Sequence, residues 1–327
     1  MKYLKVAIAV VLTAIMLVVA SSGSRGRPEP VSHSEGGFTF EMVTVPKITE
    51  NQSADITVTV TALHQDSAHL WLRTSRPTGI DTDDLDAYDR VEMQSGSGQG
   101  EFFIEVTAGI RGGRFYYYFE ITDANDATLA AFRQEDGSPF LLKYIGEVPL
   151  VLLAMHILFI FVTVFFVALA TVSAIPLIGG ASNVRPMTRY LLWATVFCFL
   201  GGYPFGIPMN YYAFDVLWEG VPFGTDATDN KTQLLFVYLL FTTLSGLGTL
   251  TGGRFGRDIY TVRTLGWVGL SSFAVMLFIY LIPHSIQFSA RLTYAFCYSW
   301  IAIVALLYLT GYLRTRRTTA KSEAISG

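Results

Sequence analysis

"GEVPLVLLAMHILFIFVTVFFVALATVSAI", residues 146–175, contains no lysine or arginine and a single acidic residue, Glu147. From Pro149 onward it stays apolar for longer than the roughly 20 residues an α-helix needs to cross about 30 Å of hydrocarbon. A soluble core helix needs one apolar stripe, not a run that is apolar all round. The stretch therefore reads as a membrane span, and it divides the sequence into two kinds of chain. Whole-chain composition agrees: 327 residues with 51% hydrophobic and 15% charged residues and a mean hydropathy of +0.42 exclude an ordinary soluble protein.

Downstream, apolar runs recur at 189–208, 233–251, 265–283 and 292–313, which with 149–175 predicts five transmembrane helices within 147–313. Arg185 and Arg189 follow the first span, Arg254, Arg257 and Arg263 the third, and Arg314, Arg316, Arg317 and Lys321 the fifth. Only Lys231 and Arg291 lie in the other connectors. The positive-inside rule then predicts a cytoplasmic tail, 314–327, and an exported N-terminal half in a multi-pass inner (plasma) membrane protein.

Upstream, "MKYLKVAIAVVLTAIMLVVA" has basic residues at Lys2 and Lys5, an apolar core from Val6, and small residues at Val18 and Ala20. That pattern predicts a signal peptide over 1–20; a retained signal anchor is the alternative. Residues 21–37, small, polar and proline-bearing, read as a linker. Residues 28–147 hold 20 of the 26 acidic residues and 8 of the 23 lysines and arginines, so this part of the chain is strongly acidic.

From 38 to 146 the periodicity changes to two. In "ITVTVTA", Ile56, Val58 and Val60 alternate with Thr57, Thr59 and Thr61, as in a half-buried strand. Seven such runs separated by turn clusters such as "SGSGQG" predict an antiparallel β-sandwich outside the membrane, in the periplasm. Cys198 and Cys297 both lie in apolar runs, so no disulfide staples this domain and its core must be hydrophobic.

With Trp71 in the third run and Tyr116 and Tyr118 in "RFYYYFEITDAND", residues 38–146 resemble immunoglobulin-like and fibronectin type III-like β-sandwiches. The resemblance implies Trp71 as a core aromatic and a folded binding-type module. It lacks the cysteine pair of antibody domains and names no ligand.

Candidate chemistry sits near the outer membrane face. The loop "WEGVPFGTDATDNKTQ", residues 218–233, offers Glu219, Asp226 and Asp229, which with His156 form a candidate metal site. The alternative is that Asp226, Thr228 and Asp229 cap turns and the start of the third span. His156 and His284 fall at similar depth, the placement two axial ligands of a haem b need. A hydrogen bond from His156 to another helix is the plainer role. His64 and His69 flank a turn, and "DTDDLDAYD", residues 81–89, reads as a solvated acidic loop. Pro204 and Pro208 should end or bend the second span, and Gly202, Gly206, Gly248 and Gly252 have the spacing of close helix contacts.

No P-loop, H-E-x-x-H, G-x-S-x-G or dinucleotide-binding glycine pattern is present. The sequence thus predicts an accessory or receptor-like membrane subunit with a protein partner and no nucleic acid. Two alternatives stay open: a haem or metal redox subunit using His156 and His284, and a membrane enzyme or lipid-handling protein using the acidic loop.

Overall fold

The computed structural model describes residues 2–22, 28–62, 69–74, 88–282 and 288–326. They form two compact units, one of Gly26–Val148 with Asn210–Val216, the other of Met1–Arg25, Pro149–Met209 and Leu217–Gly327.

The first unit is built from β1 (Pro30–Glu35), β2 (Phe38–Val43), β3 (Lys47–Thr49), β4 (Ser53–Ala62), β5 (His69–Thr74), β6 (Asp89–Glu92), β7 (Gln94–Ser95), β8 (Glu101–Thr107), β9 (Arg114–Thr122), β10 (Thr128–Phe132) and β11 (Phe140–Ile145). One sheet runs β1-β2-β4-β8-β7 and the other β3-β11-β9-β5-β6, with β10 beside β9. The seven alternating runs are all strands. β3 and β7 are too short to show an alternation and β10 lacks one, while β1 lies in the polar, proline-bearing stretch 21–37 that reads as a linker and is instead a strand over Pro30–Glu35. β3 pairs parallel with β11, a departure from the all-antiparallel expectation. Pro46 precedes it and has no amide to continue a ladder, and the chain moves there from one sheet to the other.

Both sheets contribute to a single apolar core that includes Phe40, Ile56 and Val58 from one and Leu72, Phe119 and Leu142 from the other. The alternation in β4 works as expected, with Ile56 and Val58 buried and Thr57 and Thr59 turned away. Trp71 is not a core aromatic: Leu70 and Leu72 point inward, and Trp71 lies on the opposite face under the Arg90 guanidinium, 3.8 Å away. Likewise Tyr117, Phe119 and Ile121 form the core row of β9, while Tyr116 and Tyr118 face outward. In a run of consecutive aromatics the two faces of a strand are equally apolar, so sequence does not tell them apart.

Residues 210–216 belong to this unit. Gly146 N–H donates to Ala213 O at 2.8 Å, and Arg111 pairs with Asp215 at 2.6 Å. A Cβ at Gly146 would stand 2.0 Å from Tyr212 O, so only glycine fits there.

The second unit is helical: α1 (Lys2–Ser22), α2 (Leu150–Ile178), α3 (Arg185–Leu200), a π-helical turn (Gly201–Phe205), the first turn of α4 (Gly206–Phe214, whose later residues belong to the β unit), α5 (Ala227–Ser245), α6 (Leu247–Thr251), α7 (Val262–Leu281) and α8 (Ala290–Ser326). Among the described residues four helical stretches are long and apolar enough to cross a membrane: Leu150–Ile178, Arg185–Phe214, Val262–Leu281 and Ala290–Arg317. Exposed Ile157, Leu158, Trp193, Phe278 and Leu306 suit a lipid solvent. The run expected as a third span, 233–251, is divided at Gly246 between α5 and α6. Helix α1 packs on α2 through Ala9, Ala168 and Leu169.

The second span does not end at its prolines. Pro204 lacks an N–H for the helix ladder, and the chain absorbs the defect as a π turn and continues to Phe214. Gly202 is a genuine close contact, since a Cβ there would meet Thr232 Cγ2 at 2.4 Å. Gly252 instead ends α6 with φ +61° and has no neighbour to pack on.

Candidate functional site

The acidic loop closes on itself. Asp226 is the N-cap of α5, its carboxylate accepting the amides of Thr228 and Asp229 at 2.8 and 3.0 Å. Asp229 accepts Glu219 N–H at 2.7 Å, and Asn230 accepts Val221 N–H at 2.9 Å while donating to Asp226 O at 2.8 Å. These side chains satisfy amides that the irregular loop and the helix start leave without partners. Among the described residues no group of three or more His, Cys, Asp or Glu could hold a metal ion, so Glu219, Asp226, Asp229 and His156 are not brought together as a ligand set.

The following lysine, Lys231, is 6% exposed and donates from Nζ to Ile282 O. Sequence reasoning used it only as a marker of membrane side. It is a buried ammonium on a bundle helix, where a charge persists only with acceptors nearby.

His156, on α2, bonds through Nδ1 to Gly201 O at 2.9 Å. Gly201 opens the π turn, where helix hydrogen bonding is broken by Pro204, and the imidazole supplies a donor to that stretch of backbone. This is the helix-to-helix role the sequence allowed. It fixes the neutral tautomer with Nδ1 protonated and leaves Nε2 as the acceptor nitrogen. His284, its proposed haem partner, lies outside the described residues, as do His64 and most of the 81–89 acidic run. Cys198 and Cys297 are buried, unpaired core residues.

A further cluster of polar and aromatic groups is one the sequence did not single out: the outer face of the sheet β11-β9-β5-β6. Strand parity puts Trp71 and Arg73 of β5, Arg90 of β6, and Tyr118 and Glu120 of β9 on that face, joined by Arg133 just after β10. Arg73 and Arg90 stand directly opposite each other, an unfavourable pairing of like charges. Acids and rings offset it. Arg73 lies 3.5 Å from Glu120, and Arg90 lies 2.9 Å from Asp126 and stacks on Trp71. Thr122 accepts from both Trp71 Nε1 and Arg90 at 3.0 and 3.1 Å.

Arg133 differs. Its guanidinium covers the Tyr118 ring at 4.5 Å, and it has no ion pair among the described residues. Tyr88 packs against the same Tyr118 ring, centroids 5.6 Å apart, and is only 3% exposed. Burial pushes the Tyr88 phenol above its ordinary value; Tyr116 and Tyr118 add to the shift and Arg133 opposes it, so the hydroxyl keeps its proton at neutral pH. Tyr88 Oη, Arg90 Nε and Arg133 Nε are all buried without a hydrogen-bond partner among the described residues. The signal available in sequence was the odd-position pair Trp71 and Arg73 in "HLWLRT". The other members come from different strands and meet only through pairing register.

The chain matches no protein-family model, and no curated protein is similar to it in sequence.

Proposed function

We propose that this chain is a non-enzymatic polytopic membrane protein whose exported β-domain binds a partner, serving as an accessory or receptor-like subunit of a membrane complex. The observation that carries this reading is the outer sheet face with its arginines, aromatic rings and buried donors lacking acceptors. Such groups are enriched where proteins bind other molecules, because they combine large contact area with strong hydrogen bonding.

The immunoglobulin-like assignment belongs to the same reading. The orders β2-β4-β8-β7 and β11-β9-β5-β6 parallel the A-B-E-D and G-F-C-C′ sheets of that fold, whose domains commonly serve as binding modules. Five crossings are proposed, with α5 as the third. At 1.5 Å per residue its 19 residues reach about 28 Å. It packs between α3, α7 and α8, so it needs less apolar surface than a lipid-facing helix. With an N-terminal signal peptide, this topology puts the arginine-bearing connectors and the C-terminal tail in the cytoplasm and the β-domain in the periplasm. Co-purification of the full chain from mild detergent tests the reading: a stoichiometric partner is expected, and a clean monomer without bound species defeats it.

A second reading has one specific observation in its favour. The Nδ1 bond of His156 to a backbone carbonyl is the orientation that metal- and haem-ligating histidines use, with Nε2 left for the ligand. A haem b between His156 and His284 would give a Soret band in the purified protein, and a featureless spectrum removes this option.

A further inference from the structure

We propose that the outer face of the sheet β11-β9-β5-β6 holds a carboxylate-binding site with Arg133 and Tyr88 as its donors. This deepens the binding role assigned to the β-domain and rests on it.

The polarity of the unsatisfied atoms carries the argument. Tyr88 Oη, Arg90 Nε and Arg133 Nε are the buried side-chain atoms on this face without partners among the described residues, and each has a proton to give. An unmet buried donor is costly, because it has lost water without gaining an acceptor. A face left with several donors and no acceptor is complementary to a ligand that brings acceptors.

Charge narrows the ligand class. Arg73 and Arg90 already face Glu120 and Asp126, so those two guanidinium charges are compensated. Arg133 alone of the three lies over a ring with no carboxylate beside it among the described residues. One uncompensated positive charge calls for one negative charge, which a carboxylate supplies and a phosphate exceeds. The acidic composition of residues 28–147 disfavours a polyanion further. Geometry also suits a carboxylate: its two oxygens accept the fork of a guanidinium, and the Tyr88 hydroxyl, beside the same Tyr118 ring, can add a third bond. The Tyr118 hydroxyl accepts from Arg73 at 3.4 Å and is already engaged.

Acetate and inorganic phosphate are the probes. The full chain in detergent is titrated with acetate at constant ionic strength, with saturation transfer to the methyl group as readout, and phosphate is then added as competitor. Saturable acetate binding is expected, weakened at least about tenfold by Arg133→Gln and by a smaller factor by Tyr88→Phe. Arg114→Gln, an exposed arginine of the same sheet, should leave it unchanged. Circular dichroism and melting show whether each variant is folded, and Tyr88→Phe tests the site should Arg133→Gln fail to fold. No saturable acetate binding, equal affinity in the wild type and both variants, or binding of phosphate without acetate overturns the proposal. Capture of a protein partner equally by wild type and Arg133→Gln, with no acetate site, leaves the binding role standing and removes only this assignment.

Discussion

The two units differ in where their polar side chains find partners. In the helical unit most of these side chains are consumed internally, Ser173 Oγ and Thr293 Oγ1 being the buried exceptions among the described residues. Thr195 donates to Leu191 O or Leu239 O and shares a 2.8 Å bond with Thr243, Tyr238 meets Ser271 at 2.7 Å, His156 holds Gly201 O, and Asp226 caps α5. In the β unit the core is almost wholly apolar, while arginines and tyrosines gather on one outer face where several donors lack acceptors. Where the surrounding solvent is hydrocarbon, a polar group without a partner inside the protein has none at all, so most bundle polarity is committed to structure. A sheet with one face in water can leave polar groups for a ligand. Polar residues of the bundle are therefore weaker pointers to function than those on the sheet.

Three substitutions test that contrast. The largest effect is expected from Phe119→Ala, which empties the centre of the shared β core and should cost about 3–5 kcal/mol in denaturant unfolding of the β unit. A change under about 1 kcal/mol would mean that the two sheets do not depend on a common core. Next comes His156→Phe, which leaves Gly201 O without its donor beside the π turn and should lower bundle stability by about 1–3 kcal/mol. Unchanged melting together with loss of a bound chromophore would reverse the comparison by showing that this bundle histidine serves a cofactor. The smallest effect is expected from Asp226→Ala, about 1 kcal/mol for loss of the α5 cap, with Asp226→Ser recovering most of it. A far larger loss in partner capture than in stability would move the acidic loop from structure to binding.

How much of this was legible in sequence differs between the units. Hydropathy marked the long helices because crossing hydrocarbon demands a continuous apolar run. It overstated 233–251 as one span, since Gly246 divides that stretch and α5 begins earlier, in the polar "ATDNK". In the β half, period-two runs identified the strands, yet Trp71, expected as a core aromatic, lies on the outer face. Aromatic and arginine side chains suit either side of a pleat when one side packs and the other carries cation–π stacks. The loop acids were recognised as candidates for capping or metal binding, and their bonds to Thr228, Asp229 and Glu219 amides answer to the first role.

By itself, the sequence determined the division into an acidic, strand-forming half and an apolar, helix-forming half, because both periodicity and lipid compatibility are local properties of consecutive residues. Only the tertiary structure decided that Tyr88, Arg90, Tyr118 and Arg133 share one surface and that His156 meets Gly201. Those meetings depend on strand register and helix approach, which join residues far apart in the chain and leave no mark on any short stretch of it.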